Sequence, residues 1–348
     1  MTGDVRVRID DLTAFARAAL ESGGAKPEQA ALCADVIVEQ DLRGHGHHGS
    51  QILALRVREL MERTCDPNAV IETLADLPGL VALDAHNAMG PVASVHAMDL
   101  CIDRAQKLGI GMVTVRNLMH WVIPAYYAMR AAAQGLIGYC ACVTSPSFAP
   151  VGGNARVLGN NPFAYAIPAD PRPPVVADFG VSASSGRMNV AARRGESIPA
   201  DWAMDKDGKP ITDPKRAMAE GIFLPAAGHK GYALGLVIEL MCSMMNGLQI
   251  GLLRKERGMP GTVFMAWRID AVMPKDEFLR EVNLALDAVT ATSRIDPKVP
   301  VMYPGERSGY ELLRNRERGV VDLPQTTWMV LTDVAKTTSV SLPATVTA

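Results

Sequence analysis

Apolar residues in the N-terminal part of the chain recur every three to four positions, the period of an amphipathic helix. One such stretch surrounds Leu12–Leu20 and ends at Gly23-Gly24, and a second covers Pro27–Leu42. A third runs from Ser50 to about Met61. Proline near a helix start and glycine just after a helix end are common. The pattern therefore predicts a small helical unit at the N-terminus.

From about Val70 onward, short apolar runs typical of strands alternate with helical runs. The clearest helices are expected at Val92–Leu108 and Ala125–Gln134. Alternation of this kind, judged from the residues alone, favours an α/β domain. The strand-like runs are Leu80–Leu83, Gly111–Val115, Ile137–Val143, Ala164–Ile167 and Val175–Asp178.

In the second half of the chain, residues 196–226 are rich in Pro, Gly, Asp and Lys, and this composition predicts a loop region. A strong helical pattern follows at Lys230–Asn246. The tail from Pro274 to Ala348 is again mostly helical, and its last residues, Thr337–Ala348, are expected to fray.

The composition adds limits on size and partners. A chain of 348 residues that is 48% hydrophobic can bury a large core and form two or three domains. The formal net charge is −2 and the sequence pI about 6.4. Because neither value is strongly basic or acidic, we expect no nucleic acid and no membrane as a partner.

The cysteines and the N-terminus indicate the compartment. The six cysteines form no CxxC pair, so we interpret them as small buried hydrophobic residues in a reducing environment. Residues 1–11 carry charges and lack the apolar segment of a signal peptide, and no apolar run is long enough to span a bilayer. We therefore expect a cytoplasmic protein.

Three of the seven histidines, His45, His47 and His48, lie within four residues. His48 comes just before the third predicted helix, whose dipole would hold the imidazole pKa down toward neutrality. Such a group suits a general acid that releases a proton near neutral pH. The alternative is a polar loop with solvated histidines. The same hexapeptide matches GxGxxG, but a helix precedes it instead of a strand, so we reject a dinucleotide-binding fingerprint.

A metal centre is a second interpretation of this segment. His45 and His47 are two positions apart and Asp41 is close, but no HExxH, cysteine pair or carboxylate cluster completes a coordination shell. We therefore expect no metal, and a metal-dependent enzyme stays an alternative function.

Two strand-end segments also carry candidate ligand-binding residues. His120 follows the apolar run at Gly111–Val115, and ends of strands often hold functional side chains. Asn160 and Asn161 form a turn between two apolar runs, where their amides could contact a ligand. An ordinary strand end and an ordinary turn are the alternatives.

A further candidate is the entry to the long helix that begins near Lys230. It reads Gly-His-Lys-Gly over residues 228–231 and includes His229. Glycines at a helix N-terminus let free N–H groups approach an anion, and lysine adds positive charge. We favour an anion site over a plain helix entry.

Taken in this order, the segments resemble the malate/L-lactate dehydrogenase type-2 family, whose members include ureidoglycolate and sulfolactate dehydrogenases and piperideine-2-carboxylate reductases. The resemblance runs from about Ile9 to Val334, and the combination of motifs is specific although no single one is. The segments that carry it are DLRGHGHHG (41–49), VRNLMHW (115–121), VLGNNPFAYAIP (157–168), the Asp178 segment, RGESIPADWAMDKDGKPITDP (194–214), LPAAGHKGYALGLVIELM (224–241) and PGE (304–306).

The resemblance implies an α+β fold without a Rossmann domain. Residues 1–75 would form a helical domain joined by the C-terminal helices of residues 275–348. Residues 76–274 would form a domain with a largely antiparallel sheet that binds NAD(P)H, with NAD against NADP undecided. The family also implies a small-molecule substrate and a homodimer.

The resemblance further implies roles for individual residues. His48 matches the family's proton donor and acceptor in hydride transfer to or from a 2-oxo or 2-hydroxy acid or a cyclic imine, with His47 beside it in the catalytic segment and Asn160 in the substrate loop. The residues implied to bind the cofactor are His120, Asn161, Asp178, His229, Lys230, Pro304, Gly305 and Glu306.

Two positions depart from the family pattern. The family usually has Ser before the catalytic histidine, where this chain has His47, and Arg four residues after it, where this chain has Ile52. Isoleucine cannot clamp a carboxylate as arginine does. Arg56 lies one helical turn further along, about 6 Å away. We therefore expect an atypical substrate whose anion reaches Arg56 or is missing, or a relative that binds cofactor without catalysis.

Overall fold

Helices and strands occupy most of the residues that the structure, a computed structural model, describes, namely 4–183, 185–254 and 259–346. The helices are α1 (Ile9–Ser22), α2 (Pro27–Leu42), α3 (Leu53–Met61), α4 (Gly90–Leu108), α5 (Pro124–Ala133), α6 (Ser185–Arg194), α7 (Pro214–Glu220), α8 (His229–Glu239), α9 (Lys275–Thr290), α10 (Glu306–Arg318) and α11 (Gln325–Thr338). The strands are β1 (Val5–Arg8), β2 (Glu72–Leu77), β3 (Leu80–Asp84), β4 (Ile110–Leu118), β5 (Leu136–Cys142), β6 (Pro146–Phe148), β7 (Leu158–Gly159), β8 (Phe163–Ala169), β9 (Arg172–Phe179), β10 (Ala203–Met204), β11 (Ile222–Phe223), β12 (Met259–Arg268) and β13 (Val320–Leu323).

Two predicted helices differ from simple α-helices. The third begins with a 3₁₀ turn at Ser50–Ile52 before α3, and the long one after residue 228 ends in a π turn at Leu240–Met244. The predicted loop of residues 196–226 contains the short helix α7. At the C-terminus, Thr345 pairs with Val7, so the segment that we expected to fray is tied down there, and residues 347–348 lie outside the described residues.

The main sheet has seven strands in the order β2-β3-β4-β12-β5-β8-β9. Only β3 and β4 are parallel neighbours, and every other neighbouring pair is antiparallel. The α+β expectation is therefore confirmed, and the α/β interpretation of the alternating pattern is wrong. The physical reason is β12, which inserts between β4 and β5 and converts the β4–α5–β5 crossover into a split unit.

Helices α4 and α5 pack closely on one face of this sheet, and small residues make the approach possible. A Cβ atom at Gly111 would overlap the carbonyl oxygen of Cys101 in α4, and one at Gly138 would overlap that of Ala128 in α5. The core formed here is continuous with that of α1–α3, so the N-terminal helices and the sheet share buried residues.

The opposite sheet face carries a row of aromatic side chains and is partly covered by α8. Neighbouring rings lie in edge, tilted or stacked contact along β12, β5, β8 and β9. A second sheet, in the order β10-β11-β6-β7, packs beside α8 in the same core. The aromatic residues of the row are Tyr139, Phe163, Tyr165, Phe179 and Trp267.

The C-terminal segment returns to the N-terminal helices. Strand β13 pairs antiparallel with β1, α10 contacts α2, and α11 contacts α1 and α3. Helix α9 packs on β8, where Leu286, Ala169 and Tyr303 form a small buried cluster.

All six cysteines are buried and unpaired. Within residues 4–183, 185–254 and 259–346, no helix is both long enough and apolar enough to cross a membrane.

We predict that Gly138→Ala lowers the free energy of unfolding by about 2–3 kcal/mol, because the new methyl group forces α5 away from the sheet. Urea denaturation of the purified protein measures this change. Gly79→Ala is the matched control, since a Cβ atom there meets nothing within 4 Å. Equal effects of the two substitutions would contradict the proposed close contact.

Candidate active site

The histidine segment forms a tight turn between α2 and the 3₁₀ turn at Ser50–Ile52. The buried carboxylate of Asp41 holds it, because Oδ2 accepts hydrogen bonds from the Ser50 backbone N–H at 2.8 Å and from its hydroxyl at 2.5 Å. A Cβ atom at Gly49 would overlap Oδ1 of the same carboxylate. Burial raises the pKa of Asp41 to about 7, while the Ser50 hydrogen bonds oppose that rise.

His48 lies half-buried in this turn, and its backbone N–H donates to the His45 carbonyl at 2.8 Å. Burial lowers the pKa of His48 to about 3, the charges of His47 and His45 lower it further, and the Val122 backbone opposes them. The expected direction is found, but burial rather than a helix dipole is its main cause. The ring is therefore neutral at pH 7, the form that accepts a proton.

His47 contacts His48 directly and is exposed to solvent. The centroids of the two rings are 4.2 Å apart, and the rings are tilted by 51°. Burial of its inner side lowers the pKa of His47, and Arg187 of α6 adds to that effect.

His120 follows β4 and is held by an unusual turn. Its Nδ1 accepts the Val122 N–H at 3.1 Å, so the neutral ring carries its proton on Nε2. Val122 has φ +76°, and the Ile123 N–H donates to the Trp121 carbonyl at 3.0 Å, which defines a strained γ-turn. Burial lowers the pKa of His120 to about 3, and Arg56 and His48 lower it further.

Arg56 lies on the interior side of His120. Its side chain is only 10% exposed, and Nη1 forms an ion pair with Glu59 at 2.9 Å. Both side chains and His120 line a closed cavity of about 20 Å³, which is room for about one water molecule. Ile52, the last residue of the 3₁₀ turn before α3, is half-buried and packs against the core.

The two asparagines of the turn after β7 serve different partners. Asn160 Oδ1 accepts from the Ser182 backbone N–H at 3.1 Å and from its hydroxyl at 2.9 Å. Asn161 is buried: Oδ1 accepts from the Thr144 N–H, and Nδ2 donates to the Gly235 carbonyl and, at 2.7 Å, to Glu239. The Asn161 amide thus has both N–H groups engaged inside the protein.

The sequence pattern did not single out Glu239 and Arg254, whose side chains hydrogen-bond to the asparagine turn and to the Thr144 backbone beside it. Their ion pair of 3.2 Å is fully buried, and Arg254 Nη2 also donates to the Thr144 carbonyl at 2.6 Å. Glu239 is the last residue of α8, immediately before the π turn. A glutamate inside an apolar helix was the available signal, since a buried carboxylate needs a partner.

Asp178 and the turn of residues 304–306 meet along β9. Asp178 Oδ2 accepts the N–H of Ala125 at the start of α5, and burial raises its pKa to about 7. The Pro304 carbonyl accepts the Val176 N–H at 2.9 Å, and Gly305, at φ +91°, sits against β9. Glu306 begins α10 and accepts the Tyr303 N–H at 3.1 Å.

The entry to α8 opens onto a groove. His229 and Lys230 are exposed, Gly228 has φ +62°, and a Cβ atom at Gly231 would overlap the Ala226 carbonyl. The groove measures about 810 Å³, and three loops line it. Free N–H groups at a helix start and nearby lysines suit a pyrophosphate, so the residues fit a nicotinamide dinucleotide. The groove is lined by residues 149–154 of the first loop, by residues 201, 204 and 206–208 of the second, and by residues 224, 225, 227 and 228 of the third.

Hydrogen bonds join this entry to the asparagine turn. The Ala226 N–H donates to the Val181 carbonyl at 2.9 Å, and the Val181 N–H donates to the Asn160 carbonyl at 2.8 Å. The fold thus places the candidates in three groups: the three histidines with His120 and Arg56, the asparagine turn with the α8 entry, and Asp178 with the turn of residues 304–306. In the part of the chain that the structure describes, no three His, Cys, Asp or Glu side chains form a metal-binding cluster.

The comparisons with known proteins agree with this architecture. A family model described as malate/L-lactate dehydrogenase matches residues 7–332. L-sulfolactate dehydrogenase of Methanocaldococcus jannaschii is 33% identical over 311 residues, covering 85% of this chain and 90% of that protein. Delta(1)-pyrroline-2-carboxylate reductase 1 of Burkholderia ambifaria is 31% identical over 245 residues, covering 70% of this chain and 72% of that protein.

Solved structures give the same result. The crystal structure of malate dehydrogenase from Entamoeba histolytica matches with a TM-score of 0.91 at 28% identity, covering 97% of this chain and 99% of that chain. The fold and the matched motifs define a dehydrogenase. The chain belongs to the malate/L-lactate dehydrogenase family. It is therefore an oxidoreductase of the dehydrogenase and reductase class that uses a nicotinamide cofactor, NAD or NADP.

We predict that Arg56→Ala lowers the free energy of unfolding by about 3 kcal/mol, because the Glu59 carboxylate then loses its buried partner. Urea denaturation of Arg56→Ala, Glu59→Ala and the double variant forms the cycle that isolates the pair. A rise in substrate KM without loss of stability would contradict this result and would mean that Arg56 binds the substrate anion directly.

Proposed function

We propose that the protein transfers hydride between NAD(P)H and the carbonyl or imine carbon of a small 2-oxo acid-like or cyclic imine substrate, and in reverse from the hydroxy acid or amine. The bound cofactor supplies the hydride. The observation that carries the proposal is a pair of neutral imidazoles, His48 and His120, in a chain of this family. Asp41 fixes the turn that contains His48 through Ser50, and the Val122 N–H holds the ring of His120.

His48 is the proposed acid and base. In the oxidation direction its neutral ring accepts the proton of the substrate hydroxyl, and in the reduction direction the imidazolium returns it. A substrate anion beside His48 favours the imidazolium and so assists reduction. His120 donates a hydrogen bond through Nε2 toward the substrate oxygen or the cofactor, because its Nδ1 is occupied by Val122.

The remaining candidates are proposed to hold the ligands. Lys230 and His229 at the α8 entry would receive the cofactor phosphates, and the turn of residues 304–306 would line its path along β9. Asp178 would accept a hydrogen bond through its second oxygen. Asn160 would face the substrate, whereas Asn161 would shape the cofactor loop with its amide engaged inside the protein.

The part of the substrate that lies near Ile52 is proposed to differ from the carboxylate of a plain 2-oxo acid. The relatives are named for sulfolactate, malate and pyrroline-2-carboxylate. Ile52 offers an apolar surface where the family usually has an arginine, and Arg56 is paired with Glu59. We therefore propose a substrate with an apolar group near Ile52, and with its anion bound elsewhere.

We predict that the wild type binds NADH or NADPH and turns over members of a panel of 2-oxo acids, 2-hydroxy acids and cyclic imino acids. His48→Ala should retain cofactor binding in a fluorescence titration and lose about 10²–10⁴-fold in turnover. His96→Ala, an exposed histidine on α4, is the matched control. Because the His48 pKa is about 3 in the free protein, kcat/KM for oxidation should not fall through His48 titration between about pH 8 and pH 5.

Cofactor binding without turnover of any panel member would favour the catalytically silent relative. Absence of binding by either nucleotide would contradict the proposal and leave the metal-dependent alternative, which metal analysis of the purified protein then tests.

A homodimer is part of the proposal, and the outer side of α8 supports it. Val237, Leu240 and Met244 recur at helical spacing and are about half exposed, and Leu252 and Leu253 nearby are each 64% exposed. A stripe of this kind on a soluble enzyme is typical of a subunit interface.

A cytoplasmic location is also part of the proposal. The buried, unpaired cysteines are compatible with the reducing cytoplasm.

We predict that Val237→Lys shifts the protein from dimer to monomer, because a charge would then be buried in the apolar interface. Sedimentation velocity measures the mass. Val272→Lys is the control, since Val272 is 89% exposed and far from α8 in sequence. A dimer that persists in Val237→Lys at micromolar concentration would place the interface elsewhere.

A further inference from the structure

The exposed ring of His47 has no assigned task in the proposed reaction. His48 must exchange one proton with solvent in every turnover, and bound cofactor and substrate would cover its half-buried ring. A group that contacts His48 and also reaches water would solve this problem. Among the described residues that face His48, three histidines are candidates for that role: His45, His47 and His120.

Two of the three are unsuited to carry a proton to the surface. His120 uses Nδ1 to accept the Val122 N–H, so it has no free ring nitrogen on that side. His45 is half-buried, with Nδ1 buried and without a partner in the described structure, and burial lowers its pKa to about 4. His47 alone combines contact with His48, at 4.2 Å between ring centroids, with exposure to solvent.

The geometry of the turn keeps the two rings together. The N–H groups of His48 and Gly49 both donate to the His45 carbonyl, at 2.8 and 3.2 Å, and Asp41 holds Ser50 immediately after them. Adjacent residues in an extended segment would point apart, whereas this compact turn places both imidazoles on one side. The contact is therefore a property of the backbone and persists without a hydrogen bond between the rings.

We infer that His47 is the proton relay between His48 and solvent in the proposed hydride transfer. In oxidation the hydroxyl proton of the substrate passes to a ring nitrogen of His48, as the C–H bond breaks and its electron pair leaves with the hydride. His48 gives a proton to the free ring nitrogen of His47, directly or through one water, and His47 releases a proton to the bulk. Both rings end neutral, and reduction runs the same path in reverse.

This inference rests on the proposed function but concerns a different residue. His47 acts through His48 and does not touch the substrate. The groups that face the relay are His45 and His48 in the turn, His120 after β4, and Arg187 on α6. Burial and, to a smaller extent, the charge of Arg187 lower the pKa of His47, so the relay releases its proton instead of retaining it.

The test uses the full chain with His47→Ser, which places at this position the residue that the family usually has. In dilute buffer of low proton-carrying capacity, turnover should fall about 10²-fold, the lower end of the roughly 10²–10⁴-fold contribution of a positioned acid or base. Added imidazole should restore the rate with saturation in the variant and leave the wild type unchanged. NAD(P)H titration should give the same Kd for both proteins.

His45→Ser is the matched control from the same turn, and its rate should not respond to imidazole. Unchanged turnover in His47→Ser, or a loss of turnover that imidazole does not restore, would overturn the relay. Activity of the wild type in the same assay would still support the proposed function. A wild type that turns over no panel member would overturn both. Imidazole rescue confined to His47→Ser would support the relay, since a structural defect does not respond to a small base.

Discussion

The buried carboxylate of Asp41 is the constraint on which the conformation of the histidine segment depends. It receives both polar hydrogens of Ser50, and it leaves no space for a side chain at Gly49. The backbone between α2 and α3 therefore has one compact course, and His47 and His48 project from it as a contacting pair. The orientation of the proposed acid and base thus follows from one desolvated carboxylate and one missing Cβ atom.

Burial then sets the charge of the site. His48 and His120 come from different parts of the chain, yet burial is the first cause of the lowered pKa of each. The strained γ-turn at Val122 supplies the N–H that fixes the His120 tautomer. Backbone strain of this kind persists only where the packing of the surrounding structure stabilises it. Two neutral imidazoles with different hydrogen-bonding states can take different tasks, one exchanging protons and one donating a hydrogen bond.

Ile52 and His47, the two proposed departures from the family pattern, have physical consequences in this setting. Ile52 carries no charge, and the cation at Arg56 is paired with Glu59 beside a cavity that has room for about one water molecule. His47 places a second titratable ring next to His48. The substrate anion and the route of the proton are therefore the two features in which this chain is proposed to differ from its relatives.

The sequence by itself determined the helices α1 and α2, the strands β3, β4, β5, β8 and β9, and the position of the histidine turn, because these depend on local periodicity and on glycine and proline. It also carried the family resemblance, which a model matching residues 7–332 confirms. Only the tertiary structure decided the sheet type, since the insertion of β12 between β4 and β5 joins segments far apart in the chain. The same holds for the burial of the Arg56–Glu59 and Glu239–Arg254 pairs and for the neutral state of His48: burial is a property of the packed chain, and no local pattern encodes which side chains lose contact with water.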